Sequence, residues 1–152
     1  MQTVIRPAAF TDAPRIAEFN RLIALETERR ELDPATVLKG VENCLREPAR
    51  GFYLVAERGG VVVGQLMITY EWSDWRNGNF WWVQSVYVAA NARRGGVCRA
   101  LFDHVRALAL KDPAVCGLRL YHEVHNAQAQ RAYLSFGFAD TPYRVMEWER
   151  PR

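Results

Sequence analysis

The stretch from Gly51 to Val88, "GFYLVAERGGVVVGQLMITYEWSDWRNGNFWWVQSVYV", most constrains what this chain can fold into. Three runs rich in β-branched and aromatic residues are separated by Gly59-Gly60 and by "RNGN". Such turns accept the positive φ angles of tight hairpins, so the runs predict three antiparallel strands in series. A meander of this kind has faces to cover, and the flanking segments supply helices. "TVIRPA" predicts a short first strand. Thr11 and Asp12 are cap candidates, Pro14 falls in a first turn, and Ile16, Phe19 and Ile23 recur at helical spacing, which predicts a helix over about residues 12 to 29. Asp33-Pro34 repeats the same kind of start, with Val37, Leu38, Val41 and Leu45 as the apolar stripe and Pro48 as the stop.

Beyond the meander, a third amphipathic helix opens on Gly95 and Gly96. "VCGLRLYHEV" then reads as a strand, "NAQAQRAYLSF" as a short helix closing at Gly137, and "YRVMEWER" as a last strand. The order β-α-α-β-β-β-α-β-α-β places the chain in the α/β class, with a mixed sheet and helices on its faces. With no internal repeat, and with Pro and Gly scattered as punctuation, residues 1–152 are expected to form one domain.

Composition excludes several classes. Hydrophobic residues make up 49% and charged residues 24%, an ordinary globular balance. No apolar run approaches a membrane span, and "MQTVIRPAAF" lacks the layout of a secretory signal, so no membrane partner and a cytoplasmic location are expected. The net charge of +3 comes without a lysine or arginine block, which argues against a nucleic-acid partner while permitting an anionic ligand. Cys44, Cys98 and Cys116 show no CxxC spacing and read as reduced thiols. His122 and His125, three apart on the expected strand, would point to opposite faces, so no metal is expected.

The third helix raises a question, because glycine is worth about 1 kcal/mol less than alanine in a helix. Helix N-termini carry unpaired amides and a partial positive charge, and bare backbone lets an anion approach them. Arg93, Arg94 and Arg99 add formal charge around that turn, while Val97, Leu101, Val105 and Leu108 anchor the helix to the sheet. Taken alone, Gly-Gly after a strand also makes a plain tight turn with solvated arginines. The spacing is neither GK[ST] nor GxGxxG. It does match R-x-x-G-x-[G/A] over Arg93, Arg94, Gly95, Gly96, Val97 and Cys98, directly after "VYV".

In this motif, in "IRPA" with its two following helices, in the meander, and in "NAQAQRAYLSFGF", which fits N-x-x-A-x-x-x-Y-x-x-x-G-F, the sequence resembles the GNAT superfamily of acyl-CoA-dependent N-acetyltransferases. The resemblance covers nearly the whole chain. It implies a GNAT-like sheet splayed near Val88. It also implies acetyl-CoA as co-substrate, its pyrophosphate on Arg93–Arg99 and its pantetheine arm along Val86, Tyr87 and Val88, with Asn126 and Ala129 contributing. Direct transfer to an amine acceptor and a homodimer follow from the same resemblance. Cys98 departs from the usual glycine or alanine, although a thiol is only slightly larger than a methyl.

Acetyl transfer needs a polarised carbonyl, a neutral amine and a proton for the departing thiolate. Strand amides near Val86–Val88 can polarise the thioester. Tyr133, seven residues after Asn126, is the general-acid candidate, since a phenol of pKa about 10 can protonate a thiolate whose thiol has a pKa of about 8.5. No carboxylate stands on the strand before "VYV", where Gln84 can only orient water or substrate. Glu26, Glu28, Glu31, Glu71 and Glu123 are the carboxylates open for the base, with a water relay as an equal option. The acidic segment "ETERRELD" offers attraction for a small amine or polyamine. An acyl-CoA-sensing module with little chemistry, and an enzyme acting on a protein or aminoacyl-tRNA, stand as alternatives.

Overall fold

The computed structural model describes residues 2–152. The chain divides into two compact units, one reaching Tyr121 and the other spanning His122–Arg152. The first contains β1 (Val4–Pro7), α1 (Ala13–Glu28), α2 (Pro34–Arg46), β2 (Phe52–Arg58), β3 (Val61–Ser73), β4 (Gly78–Val88), α3 (Val97–Lys111) and β5 (Val115–Arg119). Short 3-10 turns cover Phe10–Asp12 and Ala90–Ala92. The strands form one sheet in the order β1-β2-β3-β4-β5, with β1 to β4 antiparallel and β5 parallel to β4.

The turns behave as their residues dictate. Gly59 and Gly60 both adopt positive φ between β2 and β3, and Asn77 does so before β4. Asp33 caps α2 by accepting the Thr36 amide at 2.9 Å. Asp12 stands at the α1 N-cap position but does not cap it. Its carboxylate turns back to the Ala9 amide (2.7 Å) and to Arg6 (2.8 Å), which also binds Glu57 (2.7 Å).

Helices cover both faces of the sheet. On one, Ile16 and Phe19 of α1 and Val41 and Cys44 of α2 pack with Tyr53, Val55, Val62 and Tyr87. Alternation along β2 sends Leu54 and Ala56 to the opposite face, where α3 buries Val97, Leu101, Phe102 and Val105. Pairing of β4 with β5 runs from Asn79–Val115 to Trp82–Arg119 and stops there. Val83–Val88 therefore continue without β5 beside them, which is the splay. At the β3–β4 tip, Trp72 and Trp75 stand exposed, while Trp81 is buried.

In the second unit, α4 (Ala127–Ser135) is capped by Asn126, whose Oδ1 accepts the Ala129 amide at 3.1 Å. Gly137, at φ 94°, closes it, with the Gly137 amide bonded to the Leu134 carbonyl and the Phe138 amide to that of Tyr133. Two expectations need correction. β5 ends at Arg119, so His122 and His125 lie beyond it outside any strand, and alternation says nothing of their faces. "YRVMEWER" forms no strand: residues 138–152 carry no regular secondary structure, and Tyr143, Val145, Met146 and Trp148 are exposed. An alternating pattern supplies a strand's side chains, but a strand also needs a neighbouring ladder, which no local pattern encodes.

Candidate functional site

The loop between β4 and α3 alternates in backbone hand. Arg94 has φ 63°, Gly95 is not in the positive range, and Gly96 caps α3 with φ 79° and ψ 8°. Such alternation is the backbone pattern of a nest, in which successive amides turn toward one concave side, and it stands here directly before a helix N-terminus. No side chain caps α3, and a Cβ placed on Gly96 would meet nothing within 4 Å. The cradle therefore has open approach, and its residues fit a phosphate group.

Gly95 is glycine for another reason. The Arg58 guanidinium lies against it, donating to the Gly95 carbonyl at 2.6 Å, and a Cβ there would come within 2.9 Å of that guanidinium. Arg58 is itself steadied by Thr3 Oγ1 at 2.7 Å. At the far side of the loop, Val97 seats against Gly64 of β3, so the start of α3 is pinned to the sheet.

Arg93 organises the base of the loop. Its Nε donates to the Val88 carbonyl at 2.9 Å, its terminal nitrogen binds Glu26 at 2.9 Å, and its guanidinium lies 5.3 Å over the Tyr87 ring. The Tyr87 hydroxyl donates to the other Glu26 oxygen at 2.5 Å. These bonds hold the Glu26 carboxyl below its ordinary range, the Tyr87 bond first and the Arg93 bond second. Burial, followed by the neighbouring Glu26, pushes the Tyr87 phenol up. Three residues from α1, β4 and the loop are thus clasped together.

Next to them β4 is bulged. Gln65 pairs with Tyr87 and Met67 with Gln84, so Ser85 and Val86 together oppose Leu66 alone. Ser85 takes φ 52°, an uncommon conformation for a residue with a Cβ. Its carbonyl accepts Nε2 of Gln65 at 3.0 Å, and the same Nε2 reaches Asn20 Oδ1 of α1 at 2.8 Å. Gln65 is fully buried, and its Oε1 lacks a hydrogen-bond partner. Gln84 is held sideways by Thr69 Oγ1 at 2.5 Å.

Sequence reasoning named Val86, in the bulge, and Tyr87 and Val88 after it, but missed Ser85, Gln65, Asn20 and Arg58. The one available signal was Gln65 itself, a carboxamide inside the apolar run "VVVGQLMI". Buried polar groups in such runs are held for a reason. Among the other carboxylates, Glu71 is bound by Trp82 Nε1 (2.8 Å) and Arg119 (3.0 Å), and Glu123 accepts the His125 amide (2.8 Å). Cys98, half-buried at the second position of α3, has its thiol pushed up by burial to about 11, far from a nucleophile's range.

Within the second unit, Asn126 and Ala129 form the capped start of α4. Tyr133 lies a further turn along, its ring 6.2 Å from His122 and 6.3 Å from Phe138. Among the described residues no group of three or more His, Cys, Asp or Glu could hold a metal ion, and no helix is long and apolar enough to cross a membrane.

Comparison with known proteins places this geometry. Among curated proteins none matches the sequence. A possible acetyltransferase from Clostridium difficile 630 is similar at 41% identity and a TM-score of 0.93, over 100% of both chains. The ribosomal-protein-alanine N-acetyltransferase of Brucella melitensis biovar Abortus 2308 shares the fold at 19% identity and a TM-score of 0.75, with 97% of this chain and 100% of that one covered. So does AAC(6')-Iy, solved with the bisubstrate analog CoA-S-monomethyl-acetylneamine, at 16% identity and 0.77, covering 99% and 100%. The model of the Acetyltransferase (GNAT) family matches residues 15–138, and with the sheet splayed beyond Trp82 and the nest that opens α3, the chain belongs to that family.

Proposed function

We propose that this chain moves the acetyl group of acetyl-CoA directly to a primary amine of a small molecule or polyamine, with the two units acting as one acetyltransferase domain. The observation that carries the reading is the nest at Arg94–Gly96, open at Gly96 and set at the end of a bulged strand. Acetyl-CoA, when bound, supplies an activated thioester and a pyrophosphate. The amides of Gly95, Gly96, Val97 and Cys98, with the charges of Arg94 and Arg99, hold the pyrophosphate. Arg93 orders the loop through Glu26 and the Val88 carbonyl. Along Val86–Val88, backbone groups on the side of β4 that β5 leaves unpaired bind the pantetheine arm and polarise the thioester carbonyl. Asn126, Ala129 and Tyr133 carry the family's second motif. Tyr133 donates the proton that the departing thiolate needs.

Glu26 acts here as an anchor rather than as the base, because both its oxygens are engaged and its basicity is reduced. Gln84 orients water or substrate, and the amine proton leaves through solvent. A cytoplasmic location and a homodimer belong to this reading. The lack of a free strand carboxylate supports a second one, an acyl-CoA-sensing module with little turnover.

Thermal unfolding of wild type and Gly96→Glu with and without acetyl-CoA tests the proposal, followed by thiol release across an amine panel with Tyr133→Phe as control. At about 100 times Kd, ligand binding stabilises by about 2.7 kcal/mol, or roughly 5–10 °C for a chain of this size. That response should vanish in Gly96→Glu, and turnover on an accepted amine should fall in Tyr133→Phe. Binding without turnover on any amine would favour the sensing module or a macromolecular acceptor. No wild-type shift would reject the reading.

A further inference from the structure

We propose that Arg119, assisted by Arg76, anchors a carboxylate at the far end of the acceptor, so that the amine substrate is an extended molecule of the span of a short peptide. The inference rests on the acetyltransferase reading and narrows its acceptor. It begins from the pairing of β3 with β4. Met67 stands opposite Gln84, Thr69 opposite Trp82, and Glu71 opposite Phe80. Side chains paired in this way share a face of the sheet, and Met67 packs against the apolar cluster beneath α1 and α2, so all six lie on that face. The cluster reaches no further along β3 than Met67. Beyond it the strip turns polar and runs from the bulge toward the β3–β4 tip.

At the tip end of this strip two guanidinium groups lie on one buried ring. The guanidinium carbon of Arg119, which pairs with Trp82 across β4 and β5, is 3.7 Å from the centre of Phe80, and that of Arg76 is 4.9 Å from it. One carboxylate answers them: Glu71 accepts Arg119 at 3.0 Å and is itself fixed by Trp82 Nε1 at 2.8 Å. Among the described residues only Nη1 of Arg119 is engaged in hydrogen bonds, and Arg76 makes one long contact of 3.5 Å to Ser73 Oγ. Stacking on Phe80 fixes the plane of the Arg119 guanidinium and leaves its other N–H groups in the fork that receives a carboxylate. Two cations against one carboxylate leave a net positive charge, which a single further carboxylate balances and a phosphate dianion exceeds.

Distance selects the acceptor. Phe80 precedes Ser85 of the bulge by five positions on β4, about 17 Å at the usual rise per residue. A single amino acid spans far less than this. A polyamine of the right length would set a cation against the arginines. An extended chain of about five residues, with its amine at the bulge and its carboxylate on Arg119, meets both ends of the strip.

The test compares a pair of alanine and glycine pentapeptides with free amines, one ending in a carboxylate and the other in an amide, and adds spermidine as a third acceptor. Thiol release from acetyl-CoA gives kcat/KM for each, and calorimetry gives the affinity of each peptide for the protein with CoA present. Wild type should prefer the acid to the amide at least about tenfold in both measurements. The preference should disappear in Arg119→Gln and shrink in Arg76→Gln, an exposed position that serves even if the first variant fails to fold. Turnover on amines without that preference, or with a preference that both variants keep, overturns the anchor and leaves the acetyltransferase reading standing. So does spermidine as a better acceptor than the acid peptide. Absence of turnover on every amine counts against the acetyltransferase reading, and calorimetry then decides the anchor. An acid preference lost in the variants upholds it, whereas equal affinities or no binding overturn it.

Discussion

Gly64 and Val97 meet at a separation that only glycine allows: a Cβ on Gly64 would stand 2.8 Å from Val97 Cγ1 and 3.2 Å from the Tyr87 carbonyl oxygen. The first residue of α3 is thereby pressed onto β3, and the nest before it inherits the rigidity of the sheet.

Gly64→Ala should therefore destabilise the protein by about 1–3 kcal/mol, the usual cost of overpacking. Backbone on one side and a fully buried valine on the other leave little room to relax. Urea unfolding measures the loss, and a change below about 0.5 kcal/mol would show that α3 slides freely over the strand.

Gln65→Leu tests the clamp on the bulge. The substitution removes the donor to the Ser85 carbonyl and leaves that oxygen and Asn20 Oδ1 to find other partners. If Val86 must be presented by a fixed Ser85, kcat should fall about 10-fold or more while KM for acetyl-CoA changes little. Equal effects on both would indicate a general loosening of the sheet instead.

Glu26→Gln separates anchor from base. An anchoring carboxylate should show itself as a raised KM for acetyl-CoA, because Arg93 loses its partner, with kcat within about threefold of wild type. A base would do the reverse, and would also shift the acidic limb of the kcat profile.

Asp12 sets part of the response to acid. Its carboxyl is held below the ordinary carboxylate range, chiefly by the Arg6 hydrogen bonds. A group depressed in the folded state stabilises above its unfolded pKa, near 4, and loses that contribution as pH falls through its folded value. Asp12→Asn should cost about 1–2 kcal/mol at pH 7, and the gap from wild type should close below about pH 4. A gap independent of pH would assign the loss to packing rather than charge.

Much of the architecture is written in local chemistry. Gly59-Gly60 and Asn77 mark their turns and Gly96 the start of α3, because each adopts a positive φ that few residue types accept, while Asp33-Pro34 starts α2 through a side-chain cap and a fixed φ. The bulge is different. Ser85 adopts φ 52° under the constraint of Gln65 and Asn20, which lie 20 and 65 positions before it, one on the neighbouring strand and the other on α1. The Glu26–Arg93 pair spans 67 positions and likewise exists only once the helix and loop are folded. Charge complementarity over such separations leaves no periodic trace. The tail shows the opposite failure, a strand pattern without a partner within its own unit.

The surface position of Trp72 and Trp75 has a spectroscopic consequence. Of the five tryptophans, Trp81 alone is buried, Trp82 is half-buried, and Trp72, Trp75 and Trp148 face solvent. Steady-state emission from the native protein should already lie toward long wavelength. A blue shift on adding a ligand or raising concentration will then report contact at the hairpin tip or tail, whereas melting of the sheet will register mainly through Trp81.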